Sequence, residues 1–237
     1  MFLRFLRFFR TPNRQRRDRI MNLFSYDSLF SRFLYFVADI VVLHVMWVIY
    51  SLPVITIGAS TTALYYSSMK RIRTGEGYAA RNFHRSFCQN FRQSTLIWIG
   101  LVIVGLFFTA DLRIGMAVEG MIGKFMLITC SVFLIPYLLL SIYIFPVQAK
   151  FENKIFDNIK NALIMSLRHF PCSLLLIAVY ATFILLALSF PPLVGLLICC
   201  GAGLIGYVSS NIFVFIFRKY IPNELENDLE ASGEKFE

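Results

Sequence analysis

The chain has 237 residues, 57% of them hydrophobic, with a formal net charge of +9 and a mean hydropathy of +0.66. Soluble domains hold about 45–50% apolar residues, and a globule of this length could not bury the surplus, which excludes a soluble enzyme or a soluble nucleic-acid binder. In a membrane chain the positive charge is read by its distribution along the sequence, not as a footprint for DNA or RNA.

Residues 1–32 form a basic segment in which arginine interrupts phenylalanine and leucine at every third position (Arg4, Arg7, Arg10). No continuous apolar core of a cleavable signal exists there. The pattern suits an amphipathic segment on an anionic inner leaflet. The apolar run from Phe33 to Leu52 predicts a first span, with Asp39 and His44 inside it. Pro53 cannot continue a hydrogen-bonded helix but suits the start of a new one. A turn over Leu52 to Gly58 therefore leads into a short second span, Ile55 to Met69, stopped by Lys70, Arg71 and Arg73. Gly58/Thr62 and Ala59/Ala63 are four apart and share a face that another helix can approach closely, so this span is expected inside the bundle.

Residues 75–94 predict a turn and a surface helix, with Phe83, Phe87 and Phe91 on one face and Arg81, Arg85 and Arg92 on another. A third span (Thr95 to Ala110), an external loop (Asp111 to Gly123) and a fourth span (Phe125 to Val147) follow. Residues 149–170 predict a second surface helix, with Phe151, Ile155 and Ile159 near one face. The fifth span is Pro171 to Phe190 and the sixth Leu193 to Phe217. Residues 220–237 form an acidic tail. The fold class is thus an all-α polytopic bundle: a six-span domain over 33–219 with two cytoplasmic amphipathic helices.

This threading places 21 of the 23 Lys and Arg residues on one side, leaving only Arg113 and Lys124 on the other. Cytoplasmic loops carry the excess of Lys and Arg, so both termini are expected inside the cell, in the plasma membrane. Without a span over 53–69, the six cations of residues 70–94 would move outside.

Ionisable groups inside a membrane are functional candidates by default. Equal distances from a turn near Val54 set Asp39 level with Met69, beside Lys70 and Arg71, so a structural ion pair across the hairpin is expected over a proton relay. His44 falls level with Leu64 and Tyr65, and a buried hydrogen bond to Tyr65 or a nearby hydroxyl is expected. Asn211 is read as interhelical glue beside Ala202, Gly206 and Ser210. The sequence contains no nucleophile elbow, zinc-protease motif or phosphate loop, and its five cysteines form no CxxC pair. No catalytic residue, cofactor or metal site is expected. For the two surface helices, the alternatives are anchoring in the lipid interface and docking on a partner.

Four stretches carry a resemblance: Ser51-Leu-Pro-Val-Ile-Thr-Ile-Gly-Ala59 with Thr62-Ala-Leu-Tyr-Tyr66, Phe83 through Gln93, Tyr143 through Asn153, and Ile159 through Leu163. Over about residues 20–220 the chain resembles the YesL family of bacterial membrane proteins, which carries a domain of unknown function. The resemblance implies a Gram-positive source and an association with carbohydrate ABC importers, whose genes often neighbour those of the family. It supplies no established site residues. The reading is a non-catalytic accessory protein that associates with importer permease subunits, with self-association left open. A small transporter or channel is the alternative, then a membrane-embedded enzyme.

Overall fold

The computed structural model describes residues 29–75, 78–189 and 191–221. The expectations for the basic segment before residue 29 and the acidic tail after 221 lie outside these residues. Every described α-element is a helix, with no strand among the described residues: α1 (Leu29–Ser51), α2 (Ile57–Thr74), α3 (Ala79–Ala117), α4 (Met121–Lys150), α5 (Ile155–Arg168), α6 (Phe170–Ser189) and α7 (Pro191–Phe217). A single 3-10 turn, Val54–Thr56, joins α1 to α2.

Five described helices (α1, α3, α4, α6 and, over Cys199–Phe217, α7) are long and apolar enough to cross a membrane. Helix α2 does not qualify by length and composition. Its polarity has a different outlet, since ten of its eighteen residues are buried under α1, α3, α4 and α7. The small, hydroxylated face expected to lie inside the bundle does so. A Cβ on Gly58 would sit 2.5 Å from the Ser94 carbonyl and 2.6 Å from Trp98 Cβ, so only glycine lets α2 meet α3 here. One turn on, Thr62 and Ser94 share a hydroxyl hydrogen bond of 2.9 Å.

Three boundaries differ from the sequence reading. The second surface helix, expected over 149–170, starts only at Ile155, because residues 149–150 complete α4 and 151–154 are non-helical. The first surface helix is not a separate element: residues 79–94 run without a break into the third span as one helix of 39 residues. No proline lies between Ala79 and Ala117 to end it, whereas Pro171 separates α5 from α6 in the second case. The external loop is also shorter than the expected 111–123. Helix continues through Asp111 and Arg113, and only residues 118–120 connect α3 to α4, with Gly120 at φ 92°.

The main core gathers around α4, where seven consecutive residues, 143–149, are buried. Tyr143 and Val147 belong to one buried cluster with Tyr65 and Met69 of α2, Ile97 of α3, Met165 of α5, and Phe213 and Phe217 of α7, and Tyr143 packs edge-on against Phe213. Pro146 lies inside this helix, held by neighbours on every side. A second cluster joins Leu43 of α1, Ala63 and Leu64 of α2, and Phe83 of α3.

Candidate functional site

The α1–α2 hairpin is closed at both ends by polar contacts. Near the turn, Ser51 Oγ donates to Ser60 Oγ at 2.8 Å, and Trp47 Nε1 donates to Thr61 Oγ1 at 3.2 Å. At the far end the Arg71 guanidinium forms an ion pair with the Asp39 carboxylate. Arg71 also lies over the Phe36 ring, 5.8 Å from its centroid, and Phe36 packs edge-on against Tyr207 of α7. The pair is a tie among three helices. Lys70, the other cation considered for Asp39, is half-buried one residue before it.

His44 is held by the backbone of α7. Its Nδ1 accepts the backbone N–H of Ala202 on α7, at 3.1 Å, and Tyr65 instead shares a 2.5 Å hydrogen bond with Tyr180. The reason is how closely α1 meets α7: a Cβ on Gly203 would lie 2.3 Å from the Ile40 carbonyl. Asn211 is exposed and donates to the Tyr207 carbonyl of its own helix at 2.8 Å. Among the described residues it makes no hydrogen bond to a second helix, and the neighbouring glycines make the close contacts.

The phenylalanine stripe of residues 83–91 is largely absorbed within the chain. Phe83 is fully buried, and Phe83 and Phe87 both pack edge-on against Tyr50, with centroids 5.5 and 4.6 Å away. The Tyr50 hydroxyl and His84 Nδ1 share a 2.7 Å hydrogen bond. Phe91 stays exposed, as do Arg81, Arg85 and Arg92. Phe151, expected on the second surface helix, lies just past the end of α4; it packs toward the core together with Ile155 and Ile159 of α5. The opposite face carries the free apolar surface: Phe156, 84% exposed, with Ile164 and Leu167, flanked by Lys160 and Arg168.

Polar side chains converge where the first half of α3, the end of α4 and the start of α5 meet. The Gln148 side chain, buried within an apolar helix, donates to Gln93 Oε1 at 2.7 Å and to Asn90 Oδ1 at 3.4 Å. Its own Oε1 accepts from Asn158 Nδ2 of α5 at 2.6 Å. Asn90 in turn donates to the Ser86 carbonyl at 3.1 Å. These amides back a cleft of about 650 Å³ whose rim includes Arg92, Lys150, Glu152 and Lys154. Of these residues, the sequence pattern marks only Arg92. Amides at mixed spacing give no periodic signal.

A second pocket, about 490 Å³ and almost wholly apolar, lies between Trp98, Phe145, Ile177 and the Tyr65–Tyr180 pair. Outside the spans, His169 shares a 3.0 Å hydrogen bond with Tyr220. Its basicity is held below the usual histidine value by burial, and further by the Lys219 and Arg168 charges. Among the described residues no three His, Cys, Asp or Glu side chains are grouped to hold a metal, and the five cysteines are free thiols.

Residues 40–112 match the sequence model of a family described as "Protein of unknown function, DUF624". That part of the chain, which includes the Pro53 hairpin and the first half of α3, is similar to the family. The α4 and α5 walls of the cleft lie beyond it. No curated protein and no solved structure matches the chain.

Proposed function

We propose that the protein is a non-catalytic, YesL-like accessory subunit of a carbohydrate ABC importer in the plasma membrane of a Gram-positive bacterium. In this reading α2 is a short second crossing, held in place by its neighbours despite its polarity. Six crossings then leave both termini and most of the cations on the cytoplasmic side.

The observation that carries the docking part is the outward face of α5. Phe156, Ile164 and Leu167 form an apolar ridge with Lys160 and Arg168 alongside, the arrangement by which an amphipathic helix lies in a partner's groove. A transporter reading has weaker support. Asp39, His44 and Thr62 are each engaged between helices, and Asn211 lies on an exposed face, so they do not line one cavity.

Affinity capture from native membranes with mass spectrometry tests the proposal. The unmodified chain is expected to recover importer permease subunits, and Phe156→Asp with Leu167→Asp to lose them at unchanged expression. Capture of the intact protein with no permease subunit would end this reading.

A further inference from the structure

We propose that the apolar pocket between α4 and α6 holds one hydrocarbon chain of a membrane lipid. The inference does not depend on whether α5 docks on an importer; it rests on α6 as a membrane crossing.

The pocket exists because α6 stands off from part of the bundle. It packs along α7 and touches α5, while its tie to α2 is made tip to tip, by the Tyr65 and Tyr180 hydroxyls at 2.5 Å. Two long side chains that meet at their ends keep their backbones apart. The small Ala181 beside Tyr180 does not fill the space this leaves, and Trp98 and Phe145 wall it on the inner side. Leu138, Ile177 and Ile184 also line it and are exposed, so the pocket is continuous with the apolar outer surface of α4 and α6.

The wall asks for no polar ligand. Trp98 Nε1 donates to the Val54 carbonyl at 2.9 Å, Ser141 Oγ donates to the Tyr137 carbonyl at 2.8 Å, and Thr61 Oγ1 accepts from Trp47. With the two tyrosines bonded to each other, the surface left for a ligand is almost wholly carbon. Apolar cavities stay dry and take up apolar molecules. A volume of about 490 Å³ lies within the range of small-ligand sites.

Depth selects which apolar molecule. Tyr180 falls at the middle of the 20-residue α6, about 15 Å from either end at 1.5 Å per residue. That is the centre of a hydrocarbon layer roughly 30 Å thick, where headgroups do not reach and acyl chains end. A partner's helix, about 10–12 Å across with its side chains, is too thick for this volume. A single chain is thin and flexible enough to follow the fixed rings. Each contact it makes recovers dispersion attraction that an empty pocket forfeits. Trp98 is already held by the turn before α2, so this part of the wall does not have to order on binding.

The test uses the full chain in detergent with a phosphatidylcholine carrying a diazirine at the end of one acyl chain. On illumination, labelling of the peptides around Trp98 and Tyr180 is expected to saturate at one lipid per chain. Labelling of Phe107, which is 69% exposed on α3, rises without saturating. Dioleoyl phosphatidylcholine and dioleoyl phosphatidylglycerol compete equally, because the chain and not the headgroup is bound. Dihexanoyl phosphatidylcholine, too short to reach the midplane, does not compete. Ala181→Phe at the exposed mouth, or Ser141→Leu from the opposite wall, lowers the pocket labelling about tenfold and leaves Phe107 labelling and the melting temperature unchanged. The proposal is overturned by pocket labelling that does not saturate, by competition from the dihexanoyl lipid equal to that from the dioleoyl ones, or by full labelling in a filled variant that keeps its melting temperature. Pocket labelling that appears only when a dimer is diluted to monomers would assign the space to a second copy and overturn it too.

Discussion

Helices α2 and α6 have nearly the same length, 18 and 20 residues, and opposite relations between composition and place. Helix α2 is rich in serine, threonine, glycine and alanine, yet ten of its residues are buried. Helix α6 is almost wholly Leu, Ile, Ala, Val and Phe, and only Ser173 and Leu176 are buried. In water this would be inside out. In a bilayer the apolar medium surrounds the protein, so hydrophobicity does not sort interior from exterior; small size and hydrogen-bonding capacity do.

The comparison sets an order of sensitivities. The largest loss is expected at the Arg71–Asp39 pair, whose side chains are 12% and 14% exposed. Arg71→Ala leaves a carboxylate without its counter-ion and is predicted to cost about 3 kcal/mol in an SDS unfolding titration of mixed micelles. Adding Asp39→Asn should recover part of that loss. A second variant no better than the first would mean that Arg71 acts by packing on Phe36 rather than by charge. Next comes Gly58→Leu, where the new side chain meets the Ser94 carbonyl and Trp98; about 2 kcal/mol is expected in the same titration. Smallest is Leu185→Ala on the outward face of α6, where the side chain is 62% exposed, with a change within about 0.5 kcal/mol. A larger effect at Leu185 than at Gly58 would contradict the contrast between the two helices.

What the sequence made legible follows the same logic. Pro53 fixes where α1 turns back, and that register alone brings Asp39 beside Arg71. The four-residue spacing of Gly58 and Thr62 marks the face that meets α3. His44 could not be assigned in this way, because periodicity names a face without naming the helix opposite. Its partner, Ala202, lies 158 positions away. The two apolar faces of α5 posed a similar problem: Ile155 and Ile159 on one side, Phe156, Ile164 and Leu167 on the other, with nothing local to say which meets the core. Gln148 was hidden for another reason. One amide among Tyr143, Ile144, Phe145 and Val147 disappears into the hydropathy of its helix, and its role depends on Asn90, Gln93 and Asn158 arriving from two other helices.

The unbroken course of α3 binds distant events together. Its 39 residues rise about 58 Å at 1.5 Å each, nearly twice the roughly 30 Å thickness of a hydrocarbon layer. The same rod carries Arg92 and Gln93 at the cleft and Leu101 and Gly105 against Tyr137 of α4. The charged end at the cleft and the apolar end against α4 are therefore one continuous helix, with no loop to separate them.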